Sequence, residues 1–171
     1  QPLLKGTQHD YQIGHLVDMP PPGPAVPAER HLLNLNLPPW QRPEVWTHAQ
    51  KRRFVEGIFL GLGCGQYVVN GSDWEPDGQP KPMSAWLLDG QQRISALRDF
   101  LAGDLVVFDD VSFPAMPAAD QLRFKRRPFP CFELDYTDDE NALKELYDRL
   151  NFSGTPHTAE QRVLPSPSIQ K

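Results

Sequence analysis

The sequence predicts a single mixed α+β domain. The chain has 171 residues, which is about the size of one domain. Short apolar runs typical of strands alternate along it with longer stretches in which apolar residues recur at helical spacing. Nineteen prolines are unevenly distributed and mark the linkers. These features favour one α+β domain over a repeat array or a multidomain protein.

The first thirty residues are predicted to form a proline-rich leader. Residues 19–27 read MPPPGPAVP, which cannot hold a helix and is typical of polyproline II. We therefore expect residues 1–30 to be poorly ordered or draped over the surface. A simple spacer is favoured there over a docking site for a proline-recognition module. Residues 31–162 form the predicted domain, and residues 163–171 form a frayed tail.

Apolar spacing predicts a strand and then a helix at the start of the domain. In residues 31–37, leucines alternate with polar Asn34 and Asn36, as in a half-buried strand. Residues 48–62 carry apolar side chains at helical spacing opposite a basic face. The glycine-rich turn GLGCG ends this helix.

Further strands and two more helices are predicted downstream. Residues 66–69 and 85–88 are short apolar runs typical of strands. A helical stripe of Ile94, Leu97 and Leu101 follows and ends at Gly103. The remaining predictions are extended segments at 105–108 and 132–136 and a last helix, capped by Thr137 and Asp138, that buries residues 142, 143, 146, 147 and 150.

Composition excludes several classes of protein. The formal net charge of −5 argues against coating nucleic acid or anionic membrane by bulk charge, so DNA binding requires a local basic patch. Cys64 and Cys131 are too few for a disulfide scaffold and lack the paired spacing of a zinc site, which indicates a reducing cytoplasm. No apolar run is long enough to span a membrane, and the first ten residues lack a signal-peptide core.

Common catalytic signatures are also missing from the sequence. The five histidines form no HxH, HExxH or H-N-H cluster, which weakens metalloprotease and HNH-nuclease interpretations. Neither a P-loop motif nor GxSxG occurs. Neither zinc nor haem is expected. Cys64, in the glycine-rich turn, is interpreted as a small buried residue and not as a nucleophile.

The most informative segment is WLLDGQQRISAL, residues 86–97, in which a strand ends in Asp-Gly and polar residues open a helix. Gly90 allows close backbone approach, and the free N–H groups of the first helical turn attract anions. Arg93 can hold phosphate oxygens with two parallel hydrogen bonds, and Asp89 can hold a divalent cation. Gln91 and Gln92 can bond a nucleotide or orient a water. On spacing alone a structural interpretation is favoured, with Asp89 capping the helix and Arg93 paired on the surface.

Three other segments carry candidate binding residues. In LPPWQRPEVWT, residues 37–47, prolines and tryptophans hold Gln41 and Arg42 on a stiff loop or simply complete the core. In residues 147–162 the last helix ends in a polar loop, where Arg149 and Asn151 could converge on a ligand. A helix C-cap followed by a new N-cap explains the same polar residues. The basic residues form two runs that suit a phosphate track or a solvated surface. The candidates for DNA contact in these runs are Lys51, Arg52, Arg53, Arg123, Lys125, Arg126 and Arg127.

Three segments in this order resemble the N-terminal domain family of GmrSD-type restriction systems: LPPWQRPEVW, WLLDGQQRISALRDFLAGDL and LYDRLNFSGTPHTAEQR. The resemblance covers about residues 37–162. It implies a place in the ParB/sulfiredoxin-like superfamily, with a small mixed sheet and flanking helices in one domain. Gln91 stands where sulfiredoxin has its reactive cysteine, so sulfinic acid reduction is not expected. The two glutamines also depart from the ParB turn, so its CTP specificity is not carried over.

The resemblance further implies that the D-G-Q-Q-R turn binds a nucleoside triphosphate with Mg²⁺ and supports its hydrolysis. The residues that would carry catalysis are Asp89, Gln91, Gln92 and Arg93, with Asp89 as the Mg²⁺ ligand. The residues expected to contact the nucleotide are Gln41, Arg42, Gly90, Arg93, Arg149, Asn151 and Gly154. The implied role lies in, or against, a prokaryotic system that restricts modified DNA, and the implied partner is an HNH-type nuclease domain or another defence subunit.

Two alternatives to a nucleoside triphosphatase stay open at this point. A non-enzymatic DNA- or partner-binding module would show steep salt dependence and no turnover. A metal-dependent DNA nickase would use Asp89, and a plasmid nicking assay with Mg²⁺ or Mn²⁺ would reveal it.

Overall fold

The computed structural model describes residues 5–152, which form a four-stranded mixed sheet with helices on both faces. The strands are β1 (Gly6–His9), β4 (Tyr67–Asn70), β5 (Leu87–Asp89) and β6 (Cys131–Leu134). Their order in the sheet is β1-β6-β4-β5. The central pair β4 and β6 is parallel, and both edge pairs are antiparallel. The predicted mixed α+β class, with a small mixed sheet and flanking helices, is confirmed.

The remaining elements flank this sheet. They are α1 (His15–Asp18), the two-residue strands β2 (His31–Leu32) and β3 (Leu35–Asn36), α2 (His48–Phe59), α3 (Gln91–Ala102), α4 (Ala118–Lys125) and α5 (Glu140–Phe152). None of the helices within residues 5–152 is long and apolar enough to cross a membrane.

The two faces of the sheet support two apolar cores because successive strand residues point to opposite sides. Val68 and Leu88 belong to the smaller core, in which they pack with Leu143 and Leu146 of α5. The larger core lies on the opposite face, under α2 and α3. Its buried members include Tyr67, Val69, Leu87, Val55, Ile58, Ile94, Leu97 and Phe100.

Local sequence signals explain where the helices begin and end. Thr47 and Gln50 form a capping box at the start of α2, with each side chain accepting from the backbone N–H of the other. Gly90 and Gly103 flank α3, and both adopt the left-handed conformation. The prediction for α5 is off by one residue, since Asp139 accepts from the N–H of Ala142 at 3.1 Å and caps the helix.

The predicted separation of the leader from the domain is wrong for its first part. Strand β1 pairs with β6 over four residues and forms one edge of the main sheet. Ile13 and Leu16 are fully buried in the larger core. The surface-draped description suits only the proline-rich stretch that follows α1, which has no helix or strand before residue 28. Sequence spacing missed β1 because GTQH shows no apolar alternation.

Two further predictions differ from the structure. Residues 31–37 form a tight antiparallel hairpin, not one strand, and Asn34 and Asn36 are buried in it. The side-chain amide of Asn36 is hydrogen-bonded despite its burial, because its Nδ2 donates to the carbonyl of Pro24 at 2.8 Å. The extended segment at 105–108 makes only an isolated bridge between Val107 and Val111. Helix α4 was not predicted.

Candidate functional site

The turn between β5 and α3 brings the D-G-Q-Q-R segment against strand β4. Gly90 has φ 110°, a conformation that side-chain-bearing residues rarely adopt. A Cβ atom at this position would also lie 2.8 Å from Cβ of Tyr67. Glycine is therefore required for both the backbone conformation and the close packing. No side chain caps the first turn of α3, so the predicted capping role of Asp89 is wrong.

Arg93 binds protein backbone with both terminal nitrogens. Nη1 donates to the carbonyl of Cys64 at 2.7 Å, and Nη2 donates to the carbonyl of Gln66 at 2.8 Å. The same Nη2 lies 3.7 Å from Oδ2 of Asp89. A Cβ at Gly65 would lie 2.7 Å from Nη1, so the loop closes tightly around the guanidinium. Arg93 therefore fixes the glycine-rich loop to α3 and is not an exposed surface arginine.

Burial dominates the protonation equilibria around this turn. Removal from water raises the pKa of the Asp89 carboxyl group despite the nearby Arg93 charge, and it lowers the pKa of Arg93. Burial also raises the pKa of the Cys64 thiol to about 11. At neutral pH Cys64 is therefore a buried thiol and not a thiolate nucleophile, as its position in the turn predicts.

Gln92 also binds backbone. Its Oε1 accepts from the N–H groups of Val45 at 3.0 Å and Trp46 at 3.1 Å. This arrangement fixes the loop that precedes α2 to the start of α3.

Asn151, near the end of α5, has a comparable role. Its amide donates to the carbonyl of Leu88 at 3.1 Å and to that of Tyr147 at 2.7 Å. It therefore fixes α5 to β5. The side-chain amides of Gln92 and Asn151 therefore bond backbone groups next to the turn and hold the neighbouring segments in position.

Gln91, in contrast, lines a cleft of about 550 Å³ between α3 and the segments 28–31 and 37–44. Its Oε1 accepts from Nε2 of Gln41 at 2.6 Å, which brings the first and second family-like segments together. Oε1 of Gln41 is buried and has no hydrogen-bond partner within the described residues. A buried amide oxygen without a donor is costly, so this atom marks a place where a ligand N–H or O–H would be stabilised.

Three arginines line the same cleft, which we call the arginine cleft: Arg30, Arg42 and Arg98, together with Gln41 and Gln91. Arg30 Nε donates to the carbonyl of Leu37 at 2.8 Å. Arg98 donates to Glu44 at 2.9 Å, and Arg42 lies 3.8 Å from Asp148. Glu29 and Glu44 line the cleft as well, so three guanidinium groups against two carboxylates leave its lining with one excess positive charge, which suits an anion.

Sequence reasoning missed Arg30, Arg98 and Ser95, although the sequence contained a signal for two of them. Gln91, Ser95 and Arg98 stand at helix positions i, i+4 and i+7, and all three line the cleft. Residues at this spacing share one face of a helix. Arg93 lies on another face of α3, which explains why its side chain bonds the glycine-rich loop and does not line the cleft. Arg30 carried no comparable signal, because it precedes the hairpin and reaches the cleft only through the fold.

Lys51 is buried in an ion cluster and is not part of an exposed basic patch. Its Nζ lies 2.7 Å from Asp99 and 3.2 Å from Glu44. Arg98 joins both carboxylates as well. The cluster fastens the loop before α2 to the outer side of α3. The predicted DNA-contacting role is therefore wrong for Lys51, whose ammonium group is already satisfied.

The other basic candidates lie on the surface and are not in the arginine cleft. Arg52, Arg53, Arg126 and Arg127 are exposed. The others have acidic neighbours: Arg123 bonds Asp120, Lys125 bonds Asp18, and Arg149 bonds Glu145. Gly154 lies outside the described residues. Within residues 5–152 no group of three or more His, Cys, Asp or Glu could hold a metal ion.

Comparison with known proteins adds a family to this geometry. The family model described as the N-terminal domain of GmrSD restriction endonuclease matches residues 28–163. No curated protein and no solved structure matches the chain. The ParB/sulfiredoxin-like superfamily therefore stays a prediction. The matched family associates the chain with DNA restriction and phage defence. The matched segment spans most of the chain, which therefore belongs to the family of N-terminal domains of GmrSD restriction endonucleases.

Proposed function

We propose that the arginine cleft binds a nucleoside triphosphate with Mg²⁺, and that the domain hydrolyses it within a prokaryotic restriction system or in opposition to one. The unpartnered Oε1 of Gln41 beside three arginines carries the proposal. The amide oxygen accepts a donor group of the ligand, and the guanidinium groups offset the phosphate charge. Phosphoryl transfer depends mainly on such positioning and charge stabilisation.

The roles that we propose for the residues of the D-G-Q-Q-R turn differ from those that the sequence suggested. Gln91 lines the cleft, and its proposed role is to contact the nucleotide or to orient the attacking water. Gln92 and Arg93 support the site indirectly, because their hydrogen bonds hold the surrounding loops. Arg42 keeps its predicted role as a phosphate contact, and Arg30 and Arg98 join it.

Asp89 is the proposed protein ligand of Mg²⁺, although it stands beside Arg93 and is not among the residues that line the arginine cleft. Its side chain is 30% exposed, and the phosphates of a nucleotide in the cleft would have to extend past Gln91 to bring the ion to it. A single protein carboxylate fits Mg²⁺ that arrives with the nucleotide, because this ion often keeps waters and binds substrate phosphates alongside one or two carboxylates. When bound, the ion would neutralise charge on the phosphates.

Calorimetric titration of ATP, GTP and CTP with Mg²⁺ tests the proposal. We expect wild type to bind at least one of them, and Arg42→Ala to weaken that binding by about tenfold, the effect of one lost charged hydrogen bond. Lys144→Ala is the matched control, because Lys144 is exposed on α5 and loses the same charge outside the cleft. Equal weakening in both variants, or no binding by wild type, would refute the cleft as the nucleotide site.

A second candidate function is binding of DNA or a protein partner without turnover. The exposed Arg52 and Arg53 of α2 and Arg126 and Arg127 after α4 favour it. Replacing all four with Ala should then reduce DNA affinity and flatten its salt dependence while nucleotide binding persists. Plasmid nicking with Mg²⁺ or Mn²⁺ that disappears in Asp89→Asn would instead identify a nickase.

A further inference from the structure

A second cavity, of about 260 Å³, lies between the leader and the sheet. We call it the leader cavity; its walls include Tyr11 and His15 from the leader, Asn34, Tyr67 and Glu133 from the body, and Trp74. Ligand pockets for drug-sized molecules usually begin near 300 Å³. This cavity is therefore sized for one or two fused rings and not for a whole nucleoside triphosphate.

Asn34 supplies a hydrogen-bond acceptor without a partner. The residue is only 6% exposed, and its Nδ2 donates to the backbone carbonyl of His15 at 2.9 Å. Its Oδ1 is buried and has no hydrogen-bond partner within the described residues. Asn34 and His15 both line the cavity. A ligand that donates an N–H group there would satisfy an acceptor that is otherwise costly to bury.

The charge of the leader cavity excludes a phosphate. Among the described residues, Glu133 is the only Asp, Glu, Lys or Arg side chain in its lining, so this lining contributes no permanent cation. Carboxylates repel phosphate oxygens and attract N–H groups. The arginine cleft has the opposite character.

Aromatic rings suit the leader cavity to a planar ligand. Tyr11 is stacked between His9 and His15, with ring centroids 4.8 and 3.6 Å away, so its orientation is fixed. Tyr67 is buried against Phe129. Trp74 lines the cavity and is 56% exposed, so much of its surface is not covered by other residues. An uncovered indole beside a small polar cavity is a stacking surface for a heteroaromatic ring.

From these observations we infer that the leader cavity binds a small heteroaromatic base that carries an exocyclic amino group and no phosphate. The ring stacks on Trp74, and its N–H groups donate to Asn34 and Glu133. Adenine and cytosine are probes of this class. The inference concerns a second site and does not depend on nucleotide binding in the arginine cleft.

Titration of free adenine and cytosine into ¹⁵N-labelled full-length chain tests the inference. We expect one of them to bind with a dissociation constant near 1 mM or below and to shift the side-chain amide signal of Asn34. Purine, which lacks the amino group, and adenosine monophosphate should each bind at least about fivefold more weakly. Trp74→Ala should weaken binding about tenfold, as loss of a stacking partner does, and Glu133→Gln should weaken it severalfold.

Two controls separate this site from the arginine cleft. Leu122→Ala removes an apolar side chain that is 62% exposed on α4 and should leave adenine binding unchanged. Arg42→Ala should also retain adenine binding, whereas Trp74→Ala should retain nucleotide binding. Failure of both bases to bind wild type, or undiminished binding in both Trp74→Ala and Glu133→Gln, would overturn the inference. Equal affinity for adenosine monophosphate would overturn the exclusion of phosphate.

Discussion

Neighbouring polar residues at the start of α3 have opposite surroundings. Gln91 faces the arginine cleft and bonds another side chain, whereas Gln92 and Arg93 end on backbone groups of two separate loops. A cluster of polar residues in a sequence therefore need not act as one chemical unit. The residues that bond backbone shape the surroundings of the turn, and the residue that faces the cleft is the one that we propose to contact a ligand.

Arg93→Ala gives the largest expected effect in this comparison. We expect the free energy of unfolding to fall by about 3 kcal/mol, because two carbonyls lose a charged donor and Asp89 loses its partner. Chemical denaturation measures the change, with Lys144→Ala as the control. Nucleotide binding should weaken only as far as the fold is lost. A variant of wild-type stability that no longer binds nucleotide would instead make Arg93 a direct phosphate ligand.

Lys51→Ala tests the ion cluster that Lys51 forms with Glu44, Asp99 and Arg98. We expect this substitution to lower the free energy of unfolding by about 2 kcal/mol. Lys51 is buried between Glu44 and Asp99, so its removal leaves two carboxylates with Arg98 alone. Denaturation of Lys51→Ala and of the exposed Arg52→Ala provides a matched pair on consecutive residues. Similar small losses in both variants would show that the cluster contributes no more than a surface ion pair.

Gln91→Ala and Gln92→Ala test the comparison most directly, since they remove the same group from adjacent positions. Gln92→Ala should lower the free energy of unfolding by about 1 kcal/mol and leave nucleotide affinity within about twofold. Gln91→Ala should weaken nucleotide binding about tenfold. Calorimetry and denaturation on both variants separate the two effects. The reverse pattern would assign the binding role to Gln92.

The smallest expected effect is a pH dependence of stability from Glu44 and Asp99. Burial alone would raise both pKa values, but Arg98 and Lys51 outweigh it and lower the pKa of each carboxyl group. Their contribution is complete above the unfolded pKa, near 4, and is lost as the pH falls through the lower folded pKa. Thermal melts from pH 6 downward should show this loss, and Asp99→Asn should reduce it. An unchanged acid profile in that variant would contradict the assignment.

Local patterns predicted the elements whose signals lie within one segment. The helices at 48–59 and 91–102 followed from apolar spacing. Gly90 was expected to let the backbone approach a ligand, whereas the structure shows that its φ of 110° and its packing against Tyr67 require glycine. The missed features depend on distant partners. Strand β1 is defined by pairing with residues 131–134, and the function of Arg93 is defined by carbonyls of a loop about thirty residues earlier. Side-chain type in the D-G-Q-Q-R turn predicted an anion site, but only the fold showed which arginines line the neighbouring cleft.

The position of β6 in the sheet also determines when the fold can form. Both β1 and β4 pair with β6, so the first strand has no partner in the main sheet until residues 131–134 have been synthesised. Of the described strand pairs in the main sheet, β4–β5 alone can assemble earlier. Because such distant contacts close slowly, we expect the main sheet to be completed late on the ribosome, with β1 unpaired in the meantime. The order of synthesis thus makes a strand near the start of the chain one of the last to fold.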